Sequence, residues 1–337
     1  AVETGLGGAK GSMGIGFAAA NPAYFANIEA YRLDLGKVLK NPNMSSSITG
    51  KIEARGAGFD PNKLNATLKT KLENSTFTKY DITKLNLDMA YHGGQTIQID
   101  TLDLYLPNKH FDATSQMYGD QTGKLSLHGT ADISNWNSPG YKLDVKFKAL
   151  DLESLVENAS MPRYCSGNLQ VDAKGFNLDT LTGRINAHID DLLFSDKVLM
   201  PFDLNLNISK NSAMQRNVEL RSDFVDADLF GEYLLSDLLS SLIDQGLFIG
   251  GFVTQKLNTM KPEITNKELK KVIEFPKTGH FKDIDCQFTA NIKSLAPITV
   301  FVPDMYIDAS SYLSFSFRSS GSESYFDIDS ARINSFN

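Results

Sequence analysis

The chain has 337 residues, 42% of them apolar, with 33 basic and 40 acidic side chains and a formal charge of -7. That content supports buried surface throughout and excludes global disorder, and the lack of a basic stripe argues against nucleic acid as a partner. No run of about 18 uncharged apolar residues occurs, and the first residues lack the basic and apolar regions of a signal peptide, so nothing here spans or targets a membrane.

Both ends read like mid-chain sequence, so the expectation is an excised segment whose anchor lies elsewhere in a longer protein. From the start, Gly5-Leu6-Gly7-Gly8-Ala9-Lys10-Gly11-Ser12 has the glycines and lysine of a phosphate-binding loop. Lys and Gly stand in the wrong order, however, and no strand precedes them, which predicts a flexible or turn segment.

Beyond it, the dominant signal is strict alternation of apolar and polar residues, which sends the two sets to opposite faces of a strand. Leu85, Leu87, Met89 and Tyr91 alternate with Asn86 and Asp88. Leu143, Val145, Phe147 and Ala149 alternate with Asp144, Lys146 and Lys148, and Leu204, Leu206 and Ile208 with Asp203, Asn205 and Asn207. Similar runs cover 97–106, 125–130, 169–173, 185–189, 288–292 and 313–317, separated by turn-rich pieces such as His92-Gly93-Gly94. This pattern belongs to antiparallel sheet with one solvated face, whereas the parallel strands of doubly wound enzymes read as continuous apolar runs. The predicted fold is mainly β: an elongated, curved antiparallel sheet built from repeats, groove-like, with a few short helices.

An offset of 117 residues relates two stretches. Gly50 and Gly58-Phe59 recur as Gly167 and Gly175-Phe176; Leu64, Phe77 and Leu87 recur as Leu181, Phe194 and Leu204; Leu33-Asp34-Leu35 recurs as Leu150-Asp151-Leu152. Each copy reads as strand, short helix (36–41 and 153–158), strand, Gly-Phe corner and two further strands, and so flat a unit needs neighbours to bury its apolar face. Units are therefore expected at 1–119 and 120–231, with a helical insertion at 232–278 and a partial third unit at 279–337. In the insertion, Leu234, Leu235, Leu238, Leu239, Leu242 and Ile243 form a helical stripe that should dock on the sheet. Thr265 with Glu268 announces a second helix that Pro276 closes. The run 247–253 is too short to cross a bilayer.

Clustered chemistry is sparse. His92, His110, His128, His188 and His280 are dispersed, and Cys165 and Cys286 lack metal-ligand spacing, leaving unpaired buried thiols or one disulfide. Asp190-Asp191 and Asp226 with Asp228 lack the glycine and spaced oxygens of a calcium loop and read as solvated corner residues. The three sequons beginning at Asn43, Asn65 and Asn74 decide nothing. No cofactor, metal site or catalytic group is predicted. The remaining candidate is the apolar strand face, for which alternation alone leaves a closed core and an open groove equally available.

The segment Ile48-Thr49-Gly50-Lys51-Ile52-Glu53-Ala54-Arg55-Gly56-Ala57-Gly58-Phe59-Asp60-Pro61, preceded by Leu33-Asp34-Leu35 and followed by Phe77, Tyr80 and Ile82, resembles the AsmA-like and TamB-like envelope proteins of Gram-negative bacteria, of Bacteroidetes type. The second copy, from Ser166-Gly167-Asn168-Leu169 to Leu181-Thr182-Gly183-Arg184, fits equally well. The resemblance spans about residues 10–230 and is one of fold, without catalytic residues. It implies a periplasmic, non-enzymatic segment, held to the inner membrane through a part absent here, whose apolar groove binds phospholipid or another acyl-chain lipid in outer-membrane biogenesis. The candidate lipid-binding residues are Leu85, Leu87, Met89, Leu102, Leu104, Leu143, Val145, Phe147, Ile185, Ile189, Leu204, Leu206 and Ile208. The alternative is a structural repeat that binds outer-membrane protein clients by strand addition.

Overall fold

The structure is a computed structural model and describes residues 2–4, 7–17, 21–60, 62–109, 122–157, 161–177, 179–194, 197–199, 201–212, 215–238, 281–294, 312–321 and 323–332. The expectations for Leu239, Leu242, Ile243, the run 247–253, Thr265, Pro276 and the stretch from Leu295 to Pro303 lie outside these residues. The chain is mainly β, with antiparallel pairing and few short helices. It divides into two compact units, 1–175 with 183–205 and 296–303, and 176–182 with 206–295 and 304–337.

In the first unit, β1 (Val2–Thr4), β2 (Gly7–Gly16), β3 (Ala23–Leu33), β4 (Ser46–Ala57), β5 (Asn65–Phe77), β6 (Tyr80–His92), β7 (Thr96–Pro107), β8 (Thr122–Asp132), β9 (Gly140–Leu150) and β10 (Tyr164–Lys174) form an antiparallel meander in chain order. Next come β11 (Thr182–Phe194), β12 (Lys197–Leu199), which folds back on β11, and β13 (Phe202–Lys210), whose residues up to Asn205 fall in this unit and from Leu206 in the second. From Gly7 on, the Gly-rich start is a strand, not a flexible or turn segment, and Gly5 and Leu6 lie outside the described residues. Ala9, Met13 and Ile15 of β2 lie opposite Ala30, Ala26 and Tyr24 of β3, so pairing overrides the low strand preference of glycine. Register shifts between Ala30 and Leu33, Ser47 and Gly50, and Ile99 and Leu102 mark bulges, which bend strands.

The 117-residue offset carries into the backbone. The Gly58 amide donates to the Pro22 carbonyl at 2.9 Å, and that of Gly175 to Pro139 at 2.9 Å. The Arg32 amide donates to the Thr49 hydroxyl at 3.1 Å, and the Ala149 amide to Ser166 at 3.1 Å, with both donors at positive φ. The helices α1 (Leu35–Val38) and α2 (Leu152–Val156) begin one residue before the stretches expected. Their N-caps are the Asp of each Leu-Asp-Leu: Asp34 accepts from the Lys37 amide and Asp151 from the Ser154 amide. Leu33 and Leu35 pack with Leu85 on buried Ala30, Ile48 and Leu72, so α1 covers one end of the sheet.

In the second unit, β14 (Gln215–Ser222), β15 (Val225–Glu232), β16 (Phe281–Ile292), β17 (Tyr312–Gly321) and β18 (Glu323–Arg332) pair antiparallel in order. Tyr233, Leu238, Ile284, Cys286 and Phe317 form its core, with Leu229 and Leu235 packed against them. Of the helical stripe, Leu238 is thus docked on the strands, 2% exposed. The Asp179 carboxylate accepts from the Ser236 amide at 3.0 Å and its hydroxyl at 2.6 Å, fixing the turn that carries Leu238. Burial opposes ionisation of Asp179, but the Ser236 bonds and the Arg216 charge outweigh it and hold the carboxyl below its ordinary range.

Candidate functional site: the apolar sheet face

Opposed residues of an antiparallel pair share a face, so the register of the first unit builds continuous cross-strand rows. One row runs Ile28, Ile52, Thr70, Leu87, Leu102, Leu127, Val145, Leu169 across eight strands. Beside it runs a second, Ala30, Gly50, Leu72, Leu85, Leu104, Leu125, Phe147, Gly167. On the other flank lie Leu68, Met89, Ile99 and Leu143, and beyond them Tyr24, Tyr91 and Tyr141. The predicted residues Leu85, Leu87, Met89, Leu102, Leu104, Leu143, Val145 and Phe147 are therefore brought together, and every one is half-buried, not sealed.

Ile185 and Ile189 sit on β11, half-buried and alternating with His188, whose ring belongs to the charged side. Leu204 on β13 alternates with Asp203 in the same way. Leu206 and Ile208 belong to the second unit, where Ile208 is 5% exposed. Sequence reasoning left Ile28, Ile52, Leu68 and Ile99 out of the site. Their strands interleave apolar residues with Ala, Gly and Thr, which blunts the alternation, and only the register reveals their rows.

The opposite face is a lattice of exposed ion pairs. Lys10 meets Glu29 at 2.7 Å, Lys69 meets Asp88 at 2.6 Å, and Lys124 meets Asp103 at 3.1 Å. Their hydrogen bonds raise the lysine of each pair and lower Glu29, while Asp103 is lowered chiefly by the Ser126 hydroxyl that donates to it and further by Lys124. His188 bonds Asp203 at 2.6 Å and lies 3.3 Å from Asp190; the Asp203 bond is the main cause of its raised pKa. Asp190 is thus a paired strand residue, and Asp226 and Asp228 likewise pair with Lys293 at 2.7 Å and Arg221 at 2.6 Å from β15. These carboxylates are not corner residues, because they lie within β11 and β15, with partners on the same strand (His188), on β14 (Arg221) and just past β16 (Lys293).

Among the described residues no three His, Cys, Asp or Glu side chains converge as metal ligands. No described helix is long and apolar enough to cross a membrane. Cys165 and Cys286 are buried, free thiols that desolvation pushes up to about 11. A cleft beside α2 is lined by Lys79, Leu106, Leu150, Asp151 and Leu155, but its polar groups are committed. Lys79 pairs with Glu157 at 3.0 Å, and Asp151 accepts from both Ser154 donors and the Lys109 amide.

Among the described residues, what the register assembles on this face is apolar area. Comparison of the chain with protein-family models, with curated proteins and with solved structures finds no match in any of the three.

Proposed function

We propose that the apolar face of the first unit holds the acyl chains of a phospholipid, as a lipid-transfer segment of the AsmA-like or TamB-like kind working in a periplasm. The observation that carries this reading is the set of in-register leucine, isoleucine and valine rows that stay half-buried. In a sandwich the same positions would pack against a second sheet and lose their exposure. Each methylene laid on such a face is stabilised by about 0.8 kcal/mol through removal from water, without a reacting group. The resemblance of 48–61 and its second copy to those envelope proteins supports the same reading.

A photocrosslinking amino acid at Leu87, Leu102 or Val145 tests it in cells and in vesicle suspension. Lipid adducts are expected there and absent at Lys69 or Asp88 on the charged face. Equal labelling of both faces would overturn the proposal. A second reading, addition of a client strand, draws on β2, where β1 pairs with Gly7, Gly8 and Ala9 alone. Peptide adducts at Ser12 in place of lipid adducts at Leu87 would favour it.

A further inference from the structure

Three large aromatic side chains stand in water at one end of the first unit's strands: Phe17 is 73% exposed, Phe59 62% and Trp136 70%. The register puts them on the same rim. Gly16 pairs with Ala23, Ala23 with Ala57, Ala57 with Asn65, and, further along, Thr96 with Asp132 and Asp132 with Gly140. Phe17 follows β2, Phe59 follows β4 and Trp136 lies between β8 and β9.

We infer that this rim docks on the interfacial zone of a lipid bilayer, with the three rings as its anchors. No formal charge occurs in the sequence next to two of these rings: Phe17 is followed by Ala18-Ala19-Ala20-Asn21-Pro22, and Trp136 stands within Ile133-Ser134-Asn135-Trp136-Asn137-Ser138-Pro139. That composition suits a zone where a desolvated charge is costly. The third tip carries Asp60 and Lys63; the Asp60 carboxylate accepts from the Asn62 amide at 3.0 Å and its carbonyl from the Lys63 amide at 2.9 Å. Phe59 is held by stacking on Tyr24, centroids 5.8 Å apart and planes within 9°. Tyr24, Tyr91 and Tyr141 back the tips in one row, supplying rings with polar ends of the kind that gather at membrane interfaces.

Spacing separates this reading from a protein partner. Two strand separations place the Phe59 tip about 10 Å from the Phe17 tip, and four more place Trp136 about 19 Å further along. The polar turn His92-Gly93-Gly94-Gln95 lies between those last two. Met13 and Ile15 of β2 and Phe25 of β3 are also exposed, but they lie beside Phe17 alone. The three rings at this spacing therefore do not form the contiguous patch of about 800 Å² per side that a stable protein interface needs, while each can enter a membrane interface singly.

Trp136 is the sole tryptophan, so intrinsic fluorescence of the 337-residue chain reads the rim directly. Adding phosphatidylcholine vesicles, with or without phosphatidylglycerol, should shift its emission to the blue and shield it from iodide. Lipids brominated near the glycerol end of the chains should quench it more than lipids brominated at the methyl end. The Phe17→Ser/Phe59→Ser double variant, checked for an unchanged circular dichroism melt, should weaken vesicle partition about tenfold or more. Unchanged emission at saturating lipid overturns the inference. So does a blue shift that needs only higher protein concentration, which assigns the rim to protein contact. The wild-type measurement stands whatever the variants do. The Leu87 crosslinking experiment probes a different surface, so either proposal fails without the other.

Discussion

The amide of Gly58 reaches the carbonyl of Pro22 at 2.9 Å, closing the corner from which Phe59 projects. Gly58 holds this position at φ +83°, where an added Cβ would meet nothing nearer than 3.5 Å. Gly58→Ala therefore costs backbone strain alone, about 1–2 kcal/mol. Gly50, at φ +151°, would in addition press a methyl against the Lys71 carbonyl oxygen and the Leu72 backbone, so Gly50→Ala should cost more than Gly58→Ala. Thermal and urea unfolding of the two variants gives the ranking.

Truncations should separate the sealed end of the face from its open stretch. Leu72 is 6% exposed beneath α1, and Leu72→Ala is expected to cost about 2–5 kcal/mol. Leu87, its half-buried neighbour one row away, should cost about 1 kcal/mol on truncation to Ala. The same ranking is expected for Asp substitutions, with Leu72→Asp unfolded and Leu87→Asp folded but unable to crosslink lipid. Circular dichroism melts of all four variants check both halves.

His188 supplies a pH dependence. Its pKa is raised above the ordinary 6.5, chiefly by the Asp203 bond, so the ion pair's contribution is full below the unfolded value and is lost as pH climbs through the folded one. The melting temperature should therefore fall between about pH 6 and pH 8. His188→Gln should flatten that slope while leaving the value near pH 8 little changed, as differential scanning calorimetry at low salt would record.

In the second unit, Asp179→Ala removes the acceptor of both Ser236 donors and should cost about 1 kcal/mol. Leu238→Ala should cost about 2–5 kcal/mol, because its side chain is 2% exposed against Ile284, Cys286 and Phe317. Hydrogen exchange of the β15–β16 amides would show either loss as faster opening.

The thiols give the simplest reading of integrity. With Cys165 and Cys286 raised to about 11, roughly one thousandth of each is thiolate at pH 8. Native protein should react with a maleimide orders of magnitude more slowly than urea-unfolded protein, and two labels should appear only after unfolding.

Much of this was legible in the sequence where one chemical signal dominates. Leu85, Leu87 and Met89 alternate cleanly with amides and carboxylates, and β6 lies where that pattern predicts. The Leu-Asp-Leu motif marked both helices, though the role of Asp34 and Asp151 as caps emerges only once Lys37 and Ser154 are in place. Gly7 to Gly16 misled because glycine's local preference is for turns, while its strand state is imposed by pairing with Ala23 to Tyr31. Ile28 and Leu68 were missed because membership of a row is a property of registers between strands, which no single window of sequence contains. The aromatic rim is of the same kind: Phe17, Phe59 and Trp136 are far apart in sequence and come to one end of the strands only through the order and register of β2 to β9.

The rows have a consequence for motion along the sheet. A hydrocarbon chain lying on Leu87 and moved one strand on meets Leu102, then Leu127, then Val145, about 4.8 Å at a time. Each of these steps exchanges one branched aliphatic contact for another, so the stretch from Leu87 to Val145 favours no stopping place; in the opposite direction the row meets Thr70. Travel the other way, along a strand, runs into the tyrosines at one end and the Ile48 and Leu72 cluster at the other. On the proposed lipid-holding reading, the stretch from Leu87 to Val145 is thus nearly isoenergetic in one direction and bounded in the other, a one-dimensional track for an acyl chain.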